Sequence, residues 1–425
     1  MKKKVIVAVL AVICTILLIF AVIELTQVMR VNTGFYAVAT TTPTPPVTVT
    51  PTAVADLGPL TETPLAVPEM YKTGVFAQTH NMMLPKGFSL SVFAAGMNGL
   101  RFFTFDSQQN MIVADLDAGK IFLLKDNDKD GVAEQKITID QGLTVPSDAD
   151  YYNGDLYVSQ STKVVAYRSL TSDGKYSKKE TLIANLPAGG HLSRTFVLGP
   201  DGKIYLAIGS SCNICEEPDP HRAAINVYNL DGSGGEVFAS GLRNTVGFQF
   251  HLNPQTGQNE IWGVDNGRDQ IGDDIPPEEV NIIAKGKNYG WPYCYGKGIA
   301  NPEFPQKSDY CKNQTEFPAF EMQAHSAPLD ISFLPLNNSV YPAALKDSVF
   351  ITFHGSWNRS IPTGYKLITI NTADKSSKEK DFITGWVDSS GYVWGRPVGL
   401  GFDQRGNLYV SDDKAGAIYL VHYTP

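Results

Sequence analysis

The sequence has no excess of positive charge. Its 425 residues include 35 Lys and Arg against 43 Asp and Glu, for a formal net charge of −8 at pH 7. Proteins that bind nucleic acid present a basic face to the phosphates, so this composition gives no reason to expect a nucleic-acid partner. An acidic balance of this size mainly favours solubility.

Sustained helical periodicity is also missing after residue 31. The chain instead carries 38 Gly, 26 Pro and 19 Tyr, a composition typical of short strands joined by tight turns. No C-x-x-C-H sequence occurs, so no c-type haem attachment site is encoded. The chain therefore encodes no cytochrome of its own, and the sequence does not identify an electron acceptor.

Cysteines are few. Besides Cys14 there are Cys212, Cys215, Cys294 and Cys311, and an even number in an oxidising compartment predicts two disulfides. Proximity favours Cys212–Cys215 and Cys294–Cys311, although four cysteines permit three connectivities. Metal or redox chemistry at the Cys-x-x-Cys pair is the alternative. A zinc site would need a second pair of similar spacing, and a thioredoxin-like motif would need a βαβ context.

One long hydrophobic run is present, at the amino terminus. Lys2, Lys3 and Lys4 precede an unbroken apolar run over residues 5–23, long enough to cross a bilayer as a helix. The positive-inside bias keeps the lysines cytoplasmic and places the rest of the chain outside. We expect residues 1–30 to be a single-pass signal anchor in the cell membrane with an extracytoplasmic body; a cleaved signal peptide is the alternative.

Residues 31–80 are predicted to be a linker. The segment TTTPTPP at 40–46 lacks core-forming residues, and Pro-rich chains of this kind form extended, semi-rigid tethers. The folded domain is then expected to occupy residues 81–425.

A repeated pattern fills that domain. Each of six copies has a polar loop, a short apolar strand, a turn and a second strand, the second strands falling at 110–115, 155–160, 203–208, 260–265, 348–354 and 407–412. Short strands at regular spacing, in six repeats, predict an all-β fold, namely a six-bladed β-propeller. The stretch 267–318 is interpreted as an insertion between blades four and five, and insertions of that length are usually functional.

The loops before the first strand of each repeat are unusually basic. Propellers place function on these loops, at one end of the central channel. Guanidinium groups that converge on one axis are costly unless an anion, or a carboxylate at each blade edge, lies beside them. The polar residues concerned are Arg101, His191, Arg194, Arg243, Asn244 and Arg396.

Seven segments resemble the glucose/sorbosone dehydrogenase family, and most closely its sorbosone and pyranose dehydrogenase branch. They occur in the family's order and extend over nearly all of residues 85–424. The segments are GGH at 189–191, GLRN at 241–244, VDNGR at 264–268, DDIPPEEVN at 273–281, NYGWPYCYG at 288–296, FHGSWNRS at 353–360 and GRPV at 395–398.

The resemblance implies a propeller that uses pyrroloquinoline quinone and Ca²⁺ to oxidise the C1 hydroxyl or aldehyde hydrate of aldoses or related sugars. His191 would be the general base, with a pKa near working pH, and Arg243 would stabilise developing negative charge. The backbone oxygens of Gly267 and Arg268 would bind Ca²⁺. The residues implied to bind the quinone are Arg194, Arg243, Asn244, Arg359 and Arg396.

The chain also departs from the glucose-oxidising members. Arg268 stands where they carry Pro, the loop from His354 to Arg359 replaces one that contains Lys, and Leu192 follows the histidine where an aromatic residue is often found. Their sugar pocket therefore cannot be transferred to this chain.

An independent acidic motif lies in the first repeat. Asp126, Asp128 and Asp130 precede Gly131 in the D-x-D-x-D-G spacing that wraps Ca²⁺,. Ile137 stands where a bidentate acid is expected, and Glu134 could partly replace it. The alternatives are a second, structural Ca²⁺ site and a plain acidic hairpin.

Two other function classes remain open on sequence. One is a sugar-binding propeller that has lost the cofactor, which would be expected to lack His191 or Arg243. The other is a Ca²⁺-dependent lactonase, in which side-chain carboxylates and Asn converge on one ion. Asp265 with Asn266, and Asp273 with Asp274, could be interpreted in that way, but the basic residues argue against it.

Overall fold

The computed structural model describes residues 57–171 and 175–425. The predicted anchor, and the predicted linker up to residue 56, lie outside the described residues and stay predictions. Within the described ranges no helix combines the length and the hydrophobicity needed to cross a membrane.

The described chain is built almost entirely of strands. The strands that precede and complete the repeats are β1 (Leu60–Pro64), β2 (Asn81–Pro85) and β3 (Phe88–Ala94). Six antiparallel four-stranded sheets form the blades, and β3 belongs to the last of them. Blade one comprises β4 (Leu100–Phe105), β5 (Met111–Asp115), β6 (Lys120–Lys125) and β7 (Gln135–Gln141). Blade two comprises β8 (Asp148–Tyr152), β9 (Asp155–Gln160), β10 (Lys163–Leu170) and β11 (Tyr176–Ile183). Blade three comprises β12 (Phe196–Leu198), β13 (Lys203–Ile208), β14 (Ala224–Asn229) and β15 (Glu236–Ser240).

The second half of the ring follows the same plan. Blade four comprises β16 (Thr245–Leu252), β17 (Asn259–Asp265), β18 (Glu278–Ile283) and β21 (Phe320–Met322), with β19 (Cys294–Tyr295), β20 (Ile299–Ala300) and the short helix α1 (Ser308–Asn313) between its last two strands; blade five β22 (Pro328–Phe333), β23 (Ser348–Phe353), β24 (Lys366–Asn371) and β25 (Lys380–Ile383); blade six β26 (Pro397–Phe402), β27 (Leu408–Asp412) and β28 (Ala417–Tyr423) with β3. Single 3₁₀ turns lie at Glu69–Tyr71, Gly74–Ala77, Pro305–Lys307 and Ala343–Leu345. This arrangement confirms the predicted six-bladed β-propeller.

The ring is closed by an early strand. β3 pairs with β28 in an antiparallel ladder, from Phe88 opposite Tyr423 to Ala94 opposite Ile418. The outermost strand of the last blade therefore comes from the amino-terminal side of the first blade. This pairing covers a strand edge that would otherwise be exposed.

The second strands lie within one residue of their predicted positions, but their side chains are buried on both faces of the sheet, as in β13. A period-two pattern such as that of β13 is typical of a half-buried strand, whereas Ile204, Tyr205, Leu206 and Ala207 are all buried. Each blade packs against a neighbour on both faces, so both sets of side chains enter the core.

The predicted insertion lies within blade four rather than between blades. β18 pairs with β17, and β21 pairs with β18, so the long stretch supplies the third strand of that blade and ends just before the fourth. The loop after β20 is tied back by the Cys294–Cys311 disulfide, and Cys212 pairs with Cys215. Both predicted pairings are confirmed.

The predicted linker is wrong over residues 57–80. β1 pairs with β2 along its whole length, and Leu65 and Phe76 are buried in the core that surrounds Trp394. Residues 57–80 are therefore part of the folded domain.

The central channel runs between the innermost strands. It encloses about 240 Å³ and is lined by residues such as Phe102, Asp148, Thr195, Gly247 and Asp330. The loops that precede these strands surround one end of the channel, which we call the mouth.

Candidate active site

Buried carboxylates hold the mouth loops in place. Asp265, at the end of β17, accepts hydrogen bonds from the backbone N–H groups of Arg243 (3.0 Å) and Asn244 (2.8 Å). Asp412, at the end of β27, accepts one from the Arg396 N–H at 2.8 Å. Burial raises the pKa of both carboxyls to about 6. In blades four and six, the second strand thus fixes the loop that leads into the innermost strand of the same blade.

His191 is held by Ser210. The Ser210 carbonyl accepts from the His191 backbone N–H (3.1 Å) and lies 2.9 Å from the ring Nδ1. A carbonyl oxygen can only accept, so Nδ1 carries the proton and Nε2 is the unprotonated nitrogen. The Ser210 N–H in turn donates to the Arg243 carbonyl at 2.8 Å. One residue therefore connects the proposed base to the proposed cofactor arginine.

Close packing brings His191 and Asn244 together. A Cβ atom built on Gly209 would lie 2.4 Å from the Asn244 Oδ1 and 2.8 Å from the His191 Cβ. Only glycine leaves both side chains room at this strand end. Among the described residues, none forms a hydrogen bond with the Asn244 side-chain amide, which leaves it available to a ligand.

The environment keeps His191 neutral. Burial and the charge of Arg243, with smaller effects from Arg194 and Arg222, lower its pKa to about 4. The expectation of a pKa near working pH is therefore wrong. The imidazole is already in its basic form at neutral pH, as a general base requires.

Arg243 is the most heavily bonded side chain at the mouth. Nε and Nη2 donate to Asn213, at 3.1 and 2.9 Å, and Nη2 also lies 3.4 Å from Asp269. Nη1 donates to the carbonyls of Asn266 (3.2 Å) and Gly267 (2.8 Å). All five donors are engaged, so the positive charge is fixed in place, and contact with a ligand would require exchange of one of these partners.

A second basic group lies across the mouth. Arg101 is 3.5 Å from Asp413, which also bonds the Nε2 of His354 at 2.9 Å. The Nε of Arg101 is buried without a partner among the described residues. Arg396 donates to the carbonyls of His354 (3.1 Å) and Gly355 (2.8 Å).

Two predicted cofactor ligands are engaged elsewhere. Arg194 is fully buried, and its guanidinium donates to the carbonyls of Pro187, His191 and Ser193. It stabilises the His191 loop from beneath instead of facing a ligand. Arg359 donates to the carbonyls of Asp273 and Ala324 and to the Asp274 carboxylate, so it ties the loop after β17 to blade five.

The predicted Ca²⁺ loop presents two backbone carbonyls to Arg243. The carbonyls of Asn266 and Gly267 already converge on a cation, the Arg243 guanidinium. The Gly267 N–H donates to the buried Glu278 carboxylate at 2.7 Å. The Arg268 side chain is buried and bonded to Glu303, so only its backbone could serve as a ligand, as predicted.

The acidic motif in blade one forms a tight loop. Ligand oxygens of Asp126, Asp128, Asp130 and Glu134 lie within 4.8 Å of one another, and the Gly131 N–H donates to Asp126 at 3.0 Å. The second Ca²⁺ site stays a prediction. Its fourth acidic residue would be Glu134, because the motif position that usually carries an acid is occupied by Ile137.

The carboxylates that a lactonase would need do not converge. Asp265 bonds backbone groups beneath the mouth, and Asp273 accepts from the Ser360 N–H at 3.2 Å. Among the described residues, the groups of His, Cys, Asp and Glu with the spacing of metal ligands are the four acids in blade one and Glu217 beside the Cys212–Cys215 disulfide, and neither group includes these carboxylates.

Sequence reasoning missed three polar residues at the mouth. Asn213 contacts Arg243, Asp269 contacts both, and the Asn358 side chain donates to Asp269 at 3.0 Å. The only sequence signal was that Asn213 lies between two cysteines and Asn358 beside a predicted cofactor arginine.

Fold and site together define a class: a six-bladed propeller with a neutral histidine and fixed arginines at its channel mouth. The sequence profile of the TrAA12-like family matches residues 82–424. The chain therefore belongs to the TrAA12-like family.

Individual relatives agree with this assignment. An uncharacterized protein of Borreliella burgdorferi is 33% identical over 364 residues, covering 81% of this chain and 92% of the relative. A pyrroloquinoline quinone-dependent sugar dehydrogenase of Hypocrea jecorina is 25% identical over 396 residues, covering 79% and 88%. A calcium structure of the Trichoderma reesei AA12 enzyme superposes with a TM-score of 0.68 at 23% identity, covering 81% and 97%, and shows the shared fold.

Proposed function

We infer that this protein is a quinoprotein sugar dehydrogenase that oxidises C1 of aldoses or related sugars, with pyrroloquinoline quinone and Ca²⁺ as cofactors. The observation that carries this proposal is His191, neutral and fixed in one tautomer beside the Arg243 charge. The Hypocrea relative, named for this cofactor and substrate class, supports it. We further propose that its specificity is of the sorbosone and pyranose dehydrogenase type.

The residues at the mouth fit an anionic quinone. Arg101, Arg243 and Arg396 place three positive charges at the mouth, where Arg101 pairs with Asp413 and Arg243 with Asp269. The unpartnered Nε of Arg101 is a buried donor that a carboxylate could satisfy,. Carbonyls that already bind a guanidinium are hard oxygen ligands of the kind Ca²⁺ prefers.

In this mechanism the chain positions charges and moves one proton. When bound, the quinone would accept hydride from C1, and Ca²⁺ would polarise its carbonyl. The Nε2 of His191 takes the proton of the sugar hydroxyl, while Ser210 holds Nδ1–H and so keeps the tautomer fixed,. Arg243 offsets the negative charge that develops. Asn244 and Arg396 would hold the cofactor's edge, and the backbone oxygens of Gly267 and Arg268 would hold Ca²⁺.

Reconstitution tests the proposal. Purified protein is titrated with pyrroloquinoline quinone in the presence of Ca²⁺ or of a chelator, and dye reduction is then screened over aldoses and 2-keto aldoses. We expect Ca²⁺-dependent binding and sugar-dependent dye reduction. Arg243→Ala should weaken quinone binding by about 1.5–3 kcal/mol, because it removes a charge-assisted partner.

Arg405→Ala is the matched control. Arg405 is exposed and pairs with Asp403 in the β26–β27 turn, so its loss should leave quinone affinity unchanged. Absence of quinone binding by the wild-type protein, or equal binding in chelator, would contradict the proposed function.

We also propose that residues 1–30 anchor the enzyme in the cell membrane with its propeller outside. The lysines and the apolar run of the sequence support this location. The electron acceptor is proposed to be a separate molecule that reaches the mouth from the same side.

A further inference from the structure

Asn213 forms four hydrogen bonds that join distant parts of the mouth. Its side-chain Oδ1 accepts from the Arg243 Nη2 (2.9 Å) and from the Asp269 backbone N–H (2.8 Å). Its Nδ2 donates to the Asp269 carbonyl at 3.1 Å, and its own carbonyl accepts from the Arg243 Nε at 3.1 Å. One asparagine thus binds an edge of the arginine and both backbone groups of Asp269.

These bonds bring together loops from three blades. Asn213 follows the second strand of blade three, whereas Arg243 and Asp269 flank the first two strands of blade four. The Asp269 carboxylate then reaches Asn358 of blade five at 3.0 Å. Asp269 also follows the Gly267 and Arg268 carbonyls directly, so Asn213 fixes the end of the predicted Ca²⁺ loop.

The Cys212–Cys215 disulfide encloses Asn213. It closes a ring across a sequence separation of 3, which restricts the backbone that presents the asparagine. The carbonyl of Cys212 accepts from the Ser210 hydroxyl at 2.7 Å, and Ser210 also holds His191. The same short segment therefore contacts both the base and the arginine.

We propose that Asn213, held by the Cys212–Cys215 disulfide, is a positioning residue that fixes Arg243 and the Gly267–Asp269 backbone for cofactor binding. The effect on cofactor binding rests on the proposed function, whereas the hydrogen bonds of Asn213 do not depend on it. Paired donors restrict a buried guanidinium to one conformation, and Asn213 accepts two of the five hydrogen bonds of Arg243.

Two measurements on the full-length protein test this role. Hydrogen exchange over residues 266–270, without cofactor, reports the bond from the Asp269 N–H. Quinone titration at saturating Ca²⁺ reports how well Arg243 is presented. In Asn213→Ala we expect about tenfold faster exchange and about tenfold weaker quinone binding, at nearly the wild-type melting temperature.

Ile214→Ala is the matched control, because it changes the same loop without removing a side-chain hydrogen bond. It should exchange and bind like the wild type. The double variant Cys212→Ser with Cys215→Ser should move both readouts in the same direction as Asn213→Ala, because the asparagine is then released from its ring.

The outcomes separate the two proposals. Unchanged exchange in Asn213→Ala would overturn the positioning role, whatever the quinone result. Wild-type exchange and binding in the double serine variant would overturn the role of the disulfide. A wild-type protein that binds no quinone would instead overturn the proposed function, while the exchange data would still decide whether Asn213 orders the loop.

Discussion

At the scale of single residues, the pH response of the enzyme should follow the surroundings of His191. Burial and the Arg243 charge hold its pKa down at about 4, so protonation removes the base only as the pH falls through that value. The kcat/KM of the wild type should therefore be flat with respect to this group from about pH 6 to 8, and should fall in acid. An anionic cofactor beside the ring would move this fall to higher pH.

Replacing the base should separate chemistry from binding. His191→Gln should lower kcat by roughly 10²–10⁴-fold, because a positioned base contributes that much, and it should abolish the acid limb. Quinone affinity and melting temperature should stay near the wild-type values. Stopped-flow reduction of the bound cofactor by sugar would measure the step.

His422→Gln provides the control for that variant. This histidine bonds the Ser91 hydroxyl at 2.7 Å in the last blade, away from the mouth, and should leave kcat unchanged. Full turnover by His191→Gln would show that the base is another group.

The chemistry at the mouth was only partly predictable from the sequence. His191, Arg243 and Asn244 follow recognisable glycine-containing segments, and the structure brings them together. Asn213 was not found, because its partners lie 30 and 56 residues further along the chain. Arg194 was predicted to bind the cofactor, because a sequence cannot show that its guanidinium points under its own loop and bonds carbonyls there.

At the scale of elements, strands with apolar patterns were predictable, whereas β18 was not. It begins with Glu278 and Glu279, which resemble loop residues in sequence, yet both are buried. Burial raises the pKa of each to about 8. Their carboxylates accept from the N–H groups of Gly267 and Gly296, so they are satisfied by loops that exist only in the folded blade.

The segment before β2 offers a direct test of the corrected domain boundary. Phe76 is buried against Trp394 and Tyr419, so Phe76→Ala should lower the free energy of unfolding by about 3–5 kcal/mol. Met70→Ala, at an exposed position in the same segment, should change it by less than about 0.5 kcal/mol. Thermal or denaturant unfolding would measure both variants, and equal stabilities would return residues 57–80 to the linker.

At the scale of the whole molecule, a strand from the start of the described domain closes the ring of blades. β3 must join β28 before the ring is complete, so the amino-terminal side of the domain is fixed at the outer edge of the last blade. Both disulfides are formed within the propeller, which agrees with folding in an oxidising compartment.

The proposed topology predicts the result of protease treatment. If residues 1–30 anchor the chain with the lysines inside, protease added to intact cells should degrade the propeller and leave cytoplasmic proteins whole. The propeller should also sediment with the membrane fraction, and Lys2, Lys3 and Lys4 changed together to Glu should weaken this orientation, because the positive-inside bias is removed. Changing Lys178 to Glu, an exposed lysine of β11 in the propeller, is the control and should leave the orientation unchanged. A mature protein that begins near residue 31 and is found free in the medium would show that the segment is a cleaved signal peptide.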